Sequence, residues 1–337
     1  MANRLSLVTG GAGFIGSHIA EALVRRGDRV RVLDNLSTGR RENLGGFADQ
    51  IEFIAGDLTD LPLVEQALQG VEVVFHQAAL PSVPLSLARP LDTHRDCATG
   101  TICLLDAARR SGVRRVVYAA SSSAYGDQPY TSLRETDLPQ PLSPYAAAKL
   151  AGEYYCQAFY HSFGLETVGL RYFNVFGPRQ DFGSPYSAVI PLFITALLEG
   201  RSPIIYGDGL QTRDFCYVAN VAHGNLLAAE AAGVAGRVIN LANGRATDLL
   251  TLLAALQRLL ALDIPPRHEP ARLGDIRDST ADITQARRLL GYEIQVDFDE
   301  GLRRSIDYYR AQVEKGDGSH FVRHDSCQGV SSPLVGE

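Results

Sequence analysis

Two short segments carry the residue types that could do chemistry. The first is Ser143-Pro144-Tyr145-Ala146-Ala147-Ala148-Lys149. Ser143 is a good helix N-cap, and Pro144 suits the first helical position. Tyr145 and Lys149 then lie four apart on one helix face. An ammonium beside a phenol favours the phenolate. The spacing therefore predicts a tyrosine pKa lowered towards neutrality and a general base for a hydroxyl proton. A surface helix that carries the pair by chance is the plain alternative. The second segment is Ser121-Ser122-Ser123-Ala124-Tyr125-Gly126, beginning 24 residues upstream of Tyr145. A hydroxyl there could bond a substrate oxygen whose charge changes during oxidation. An ordinary polar turn would also favour serine.

A second, independent signal stands at the start of the chain. Residues 9–16 read Thr-Gly-Gly-Ala-Gly-Phe-Ile-Gly, after the apolar strand pattern Leu5–Val8 and before a helical pattern from Ile15 to Arg26. Gly10 permits a tight turn, Gly13 lets backbone approach a pyrophosphate, and Gly16 allows close helix packing. A pyrophosphate would sit on the helix N-terminus, where free N–H groups and the dipole favour an anion. The next strand, Arg29–Leu33, ends at Asp34, which follows Gly16 by eighteen residues. An acid there bonds the adenosine ribose and repels a 2′-phosphate, so NAD is expected over NADP.

The elements that must position these groups follow an alternating pattern. Strand candidates continue at Ile51–Ala55, Val73–His76, Val116–Ala120 and Thr167–Arg171, with helical patterns at Leu61–Leu68, Leu91–Ser111 and Ser143–Phe163. This alternation predicts a Rossmann-type α/β fold, a doubly wound parallel sheet with helices on both faces. Ligands bind such sheets at the carboxyl ends of the strands. Beyond about residue 180, helical patterns at Ile190–Glu199, Asn220–Ala231 and Leu249–Leu260 alternate with short strands at Pro203–Tyr206 and Val238–Leu241. The expected division is 1–180 as an NAD-binding domain and 181–314 as mainly a smaller α/β substrate lobe. Some elements of that lobe are expected back in the large domain, and 315–337 is expected to be a disordered tail.

Composition narrows the function classes. The chain has 337 residues, 45% hydrophobic and 21% charged, with a net charge of −6. Its arginine pairs are scattered, so no nucleic-acid surface is expected. Five cysteines without CxxC or metal-ligand spacing predict no metal site and a reducing, cytoplasmic location. No leader peptide and no membrane span are expected.

Taken together, TGGAGFIG, Asp34–Gly39, Gly56-Asp57-Leu58, His76–Ala79, SSSAYG, YAAAK and Arg171–Gly177 resemble the extended short-chain dehydrogenase/reductases. They resemble most the bacterial UDP-hexose 4-epimerases, above all those acting on UDP-N-acetylglucosamine, over residues 4 to about 310. The resemblance implies Tyr145 as base, Lys149 as its tuner and holder of the nicotinamide ribose, and Ser121 as partner of the sugar O4. It implies a cofactor site built from Gly10, Gly13, Phe14, Ile15, Asp34, Asn35, Ser37, Thr38, Gly39, Asp57, Leu58, Gln77, Ala78, Ala79, Tyr172 and Phe173. Substrate contacts are expected from Ser122, Ser123, Asn174, Val189, Tyr206, Gln211, Arg213, Arg272, Asp275 and Ser279. Tyr206 would stack on uracil, Arg213 and Arg272 would meet phosphate, and Asp275 the ribose. A homodimer formed by helices around Leu91–Ser111 and Ser143–Phe163 is implied as well. One departure is Cys97, in Cys-Ala-Thr-Gly-Thr, where relatives usually carry Asn.

Related dehydratases and decarboxylases place carboxylates in the turn after the catalytic Ser or Thr. Here those positions are Ser122 and Ser123, which limits the expected reaction to reversible hydride transfer at C4. In epimerases restricted to UDP-glucose and UDP-galactose, a bulky residue stands four after the Gly-Asp aspartate. Ser279 at that position leaves room for an N-acetyl group. The expected substrates are therefore UDP-GlcNAc and UDP-GalNAc, with UDP-Glc and UDP-Gal secondary. The alternatives are a UDP-uronic acid 4-epimerase and a non-catalytic NAD-binding protein.

Overall fold

The computed structural model describes residues 4–183, 188–271 and 276–314. Seven parallel strands form the central sheet: β1 (Leu5–Thr9), β2 (Arg29–Asp34), β3 (Ile51–Ala55), β4 (Val73–His76), β5 (Arg115–Ser121), β6 (Glu166–Tyr172) and β7 (Arg237–Leu241). Their spatial order is β7-β6-β5-β4-β1-β2-β3, with every neighbouring pair parallel. The order reverses beside β1, so the carboxyl ends of β1 and β4 flank the crevice where such folds bind ligands.

The strands are apolar because both faces are covered. On one face Ile19, Ala20 and Leu23 of helix Phe14–Arg26 pack with Val221 and Ala222 of helix Val218–Glu230. On the other, Leu104 and Leu105 of helix Gly100–Arg110 meet Cys156 and Phe159 of helix Pro144–Phe163. A third apolar cluster, with Phe176, Phe193, Leu252 and Ile306, builds the second lobe. Short strand pairs stitch that lobe together. Thr212–Asp214 runs antiparallel to Ala246–Asp248, and Ile204–Tyr206 runs parallel to Arg267–Glu269.

The expected strands recur within one or two residues at each end, but one helix differs from the sequence reading. Of the later elements, some of which were expected back in the large domain, Val238–Leu241 is the strand that joins the central sheet beside β6, in register Val238↔Gly169. The continuous helix expected over Leu91–Ser111 is instead Pro90–His94, a π turn at Arg95–Thr99, and Gly100–Arg110. A π turn inserts one residue per turn without ending the helix, so the apolar pattern gives little sign of it. The expected tail, 315–337, lies outside the described residues.

Candidate active site

The glycine turn is built as its spacing predicted. Gly10 has φ +65°, a left-handed conformation that favours glycine. A Cβ on it would stand 2.6 Å from the Ala78 nitrogen, and one on Gly16 would stand 2.1 Å from the Gly10 carbonyl oxygen. Helix Phe14–Arg26 begins at Gly13 with no side-chain cap, so its first N–H groups are free for a ligand. Gly16→Ala should overpack this turn at a cost of about 1–3 kcal/mol. A lower melting temperature and weaker NAD binding by calorimetry are expected together.

A cavity of about 490 Å³ opens at the carboxyl ends of these strands. Its walls include Gly10, Phe14, Ile15, Asp34, Asn35, Ser37, Thr38, Asp57, Leu58, Gln77, Ala78, Ala79, Tyr145, Lys149 and Tyr172. Asp34 is nearly buried and accepts from the N–H groups of Ala12 (2.9 Å) and Leu36 (2.8 Å). Burial raises its pKa, against the pull of those two bonds. Gly39 lies against the Asp34 carboxylate. Asn35 donates to Asp57 at 2.9 Å, which ties the ends of β2 and β3. Tyr172 donates to Asn225 (2.9 Å), and its oxygen is 3.2 Å from that of Gln77. Uncapped helix, left-handed Gly10 and buried Asp34 together form a cradle that fits a dinucleotide.

The catalytic candidates meet on one wall. The Ser143 hydroxyl caps helix Pro144–Phe163 by accepting from the Ala146 N–H at 3.1 Å. That fixes the first turn and therefore Tyr145. Ser121 stands beside the Tyr145 phenol and favours its ionised form, and its oxygen accepts from the Ser123 hydroxyl (2.8 Å) and N–H (3.2 Å). Lys149 is 3% exposed, with its ammonium 4.8 Å from the centre of the Tyr118 ring.

The sequence reading of the tyrosine pKa is corrected here. Burial pushes the Tyr145 phenol well above its ordinary value, Cys97 adds to the rise, and the Ser121 bond opposes it. Lys149 is not among the causes. Its own pKa is lowered, first by burial. Cys97, on the π turn, packs with Ala98 and Ala148 against Ala79 and Tyr145. Its carbonyl accepts from Thr101 at 2.5 Å, and Thr101 in turn meets His76 at 2.9 Å. His76 is fully buried and its pKa is lowered to about 3, by desolvation first and by Lys149 second, so it is neutral.

Other expected residues fall elsewhere. Phe173 is fully buried and packs against Tyr125, away from the cavity wall. Ser122 and Ser123 lie on a short turn, Ser122–Tyr125, and Ser123 directs its hydroxyl onto Ser121. Asn174 is exposed, and Val189 begins helix Val189–Leu198 beside the wall residue Ala188. Gln211 donates to the Tyr206 carbonyl (2.8 Å), Arg213 to the Thr212 carbonyl (2.7 Å). Ser279 is buried. It follows Asp278, whose carboxylate accepts from Thr212 at 2.6 Å. Tyr206, Gln211, Arg213 and Ser279 thus share one region of the second lobe without lining the main cavity. Arg272 and Asp275 lie outside the described residues. Sequence reasoning missed Arg40, Arg179, Gln180, Asp181, Phe182 and Tyr308, all on the cavity wall. Arg40 adjoins the expected Ser37–Gly39 segment and Arg179 follows Gly177-Pro178, so adjacency to a motif was their one signal.

Among the described residues no cluster of His, Cys, Asp or Glu could hold a metal ion. No described helix is long and apolar enough to cross a membrane.

The sheet order, the glycine cradle and the Tyr–Ser–Lys grouping define a dinucleotide-dependent enzyme of the short-chain dehydrogenase type. The chain belongs to the NAD-dependent epimerase/dehydratase family, whose model matches residues 6–242. A UDP-N-acetylglucosamine 4-epimerase from Methanobrevibacter ruminantium M1, solved in complex with UDP-N-acetylmuramic acid, is 42% identical with a TM-score of 0.89. The match covers 93% of this chain and 100% of that one. A UDP-glucose 4-epimerase from Mycolicibacterium smegmatis is 39% identical over 90% of this chain and 98% of its own length. A UDP-glucuronate 4-epimerase from Thermodesulfobacterium geofontis is 30% identical over 91% and 97%. The chain is thus an NAD-dependent enzyme, and these end-to-end relatives are UDP-sugar 4-epimerases.

Proposed function

We propose that the protein interconverts the C4 epimers of a UDP-hexose, with UDP-GlcNAc and UDP-GalNAc preferred and UDP-Glc and UDP-Gal secondary. The observation that carries the reading is that Tyr145 and the buried Lys149 line one cavity with the residues of the glycine turn, with Ser121 beside the phenol. NAD, when bound, supplies the hydride acceptor and donor and, in oxidised form, a positive charge that favours the phenolate. Gly10, Gly13, Phe14 and Ile15 would hold its diphosphate, Asp34 its adenosine ribose, and Lys149 its nicotinamide ribose. Ser121 holds the sugar O4 against Tyr145. The tyrosine removes the O4 proton as the C4 carbonyl forms and returns it to O4 after the 4-keto sugar has turned over. The turn Ser121–Gly126 contains no carboxylate to drive elimination or decarboxylation.

Sugar choice rests on the 42% identical relative named for UDP-N-acetylglucosamine and on the place of the small residue Ser279 in the sequence pattern. A small side chain there leaves volume for an acetamido group. Ser279→Tyr is expected to lower kcat/KM for UDP-GlcNAc roughly 10- to 200-fold relative to UDP-Glc, the range that pocket volume commands. An unchanged ratio in steady-state assays of both sugars would remove Ser279 from the specificity argument.

The test of the whole reading is NMR of the products after incubation with UDP-GlcNAc, UDP-Glc or UDP-glucuronate, without added NAD. UDP-GalNAc formed fastest supports the proposal, and conversion of UDP-Glc alone sinks the N-acetyl assignment. Turnover of UDP-glucuronate alone transfers the mechanism to a uronic acid substrate. No turnover of any of them, even with NAD added, overturns 4-epimerisation of these sugars.

A further inference from the structure

The cavity has a second bank that the glycine turn and the catalytic helix do not explain. Segment Gly177–Phe182 follows the short strand Val175–Phe176, and its Arg179, Gln180, Asp181 and Phe182 line the same cavity as Gly10 and Phe14. Two ion pairs tie this segment to the glycine-turn side. Arg40 reaches Asp181 at 3.1 Å, and Arg179 reaches Glu21 of helix Phe14–Arg26 at 2.6 Å. Pro178 adds a carbonyl 3.0 Å from the His18 ring nitrogen. Beneath the segment, the Tyr309 hydroxyl lies 3.0 Å from the Gln180 carbonyl oxygen and 3.3 Å from that of Gly177, while Phe182 meets the Tyr309 ring edge-on at 5.4 Å. Arg179 takes this position with φ +68°, a left-handed backbone that costs energy for a residue with a side chain. A strained residue persists where its surroundings hold it, and here they hold its guanidinium at the edge of the cleft.

We infer that Gly177–Phe182 is a strap latched over the bound dinucleotide by the Arg40–Asp181 and Arg179–Glu21 pairs, and that it sets how long the cofactor is retained. The inference rests on the cofactor site described above. The strap covers the cleft beside the free helix N-terminus, where the diphosphate would lie, and with Arg40 of the facing side its Arg179 puts two guanidinium groups on the cavity wall. Of its latches, the Arg40–Asp181 pair lies on the molecular surface, while Arg179–Glu21 is partly buried. An exposed pair such as Arg40–Asp181 is individually weak and screened by salt, and the partly buried one is screened less. The strap therefore opens without unfolding either lobe, and the opening rate follows ionic strength.

The experiment uses the purified full-length protein loaded with NAD. Dissociation is timed by rapid desalting followed by chromatographic assay of the NAD still bound. The variant carrying Glu21→Gln and Asp181→Asn should release NAD on the order of ten-fold faster, equal to about 1.4 kcal/mol. Release from the unsubstituted protein should quicken as salt rises from about 0.05 to about 0.5 M, while release from the variant stays nearly flat. Asp181→Asn alone, at an exposed side chain, serves if the double variant folds poorly, and its release should fall between the two. Equal release rates in variant and unsubstituted protein, with equal melting temperatures of the NAD-free forms, overturn the latch. So does a release rate of the unsubstituted protein that ignores salt. An unsubstituted protein that binds no dinucleotide at all overturns both the latch and the cofactor site on which it rests.

Discussion

Tyr145→Phe is expected to lower kcat roughly 10²- to 10⁴-fold, the usual contribution of a positioned general acid–base, while nucleotide-sugar binding changes little. The reason is local. Phenylalanine keeps the ring that fills the space beside Ala79, Cys97 and Ala148, so the wall of the cavity survives. What disappears is the phenol hydroxyl that stands beside Ser121, the group assigned above to exchange a proton with the sugar O4. Loss confined to the chemical step should appear as a drop in kcat and kcat/KM together. Steady-state kinetics, with UDP binding measured separately by calorimetry, decides the point. A variant that keeps more than about a tenth of wild-type kcat would remove Tyr145 from the chemistry. Because burial and not Lys149 dominates the pKa of the unliganded phenol, the basic limb of the rate profile belongs to the cofactor-bound enzyme, and titration of the NAD-free protein should place Tyr145 above ordinary tyrosines.

Features set by neighbours in sequence could be read from the chain. The glycine turn, the Ser143 cap and the Tyr145–Lys149 spacing are each contained within one or two helical turns, and each stands where the spacing put it. The strands were readable because a doubly covered parallel sheet demands long apolar runs. What escaped depends on direction or on distant partners. Phe173 was grouped with Tyr172 because the two are adjacent in a motif, yet neighbouring residues of an extended chain face opposite ways, so Tyr172 lines the cavity and Phe173 enters the core. Strand Arg237–Leu241 has the composition of any short strand, and only its pairing with β6 makes it an edge of the main sheet. The strap residues Arg179 and Asp181 acquire their roles from Glu21 and Arg40, which lie more than a hundred residues earlier in the chain. The pKa of Tyr145 was misread because spacing records which groups are near but not how thoroughly water has been removed from them.

Arg171→Met is expected to destabilise the fold by about 3–5 kcal/mol, the cost of leaving one member of a buried ion pair behind. Arg171 on β6 makes a two-pronged contact with Glu153, at 2.9 and 2.7 Å, and both side chains are almost wholly buried. Glu153 stands two turns beyond Tyr145 and one beyond Lys149 on the same helix. The guanidinium also lies 4.4 Å from the centre of the Tyr125 ring, whose hydroxyl donates to Asn240 at 2.6 Å. One cation thus joins helix Pro144–Phe163 to the sheet and to the turn that follows Ser121. Removing it strands the Glu153 carboxylate in a place without water, and that should loosen the register between Tyr145 and Ser121. Urea denaturation should reveal the loss in stability, and kcat should fall more than KM changes. The companion substitution separates charge from shape. Combining Arg171→Met with Glu153→Leu removes both charges, and apolar replacements of a buried pair are often neutral or better, so the double variant should recover most of the lost stability. Recovery of stability without recovery of kcat would assign the pair to positioning the catalytic helix. If the single variant were as stable as the unsubstituted protein, the pair would hold nothing in place, and the attachment of the helix would have to reside in the apolar contacts of Cys156 and Phe159.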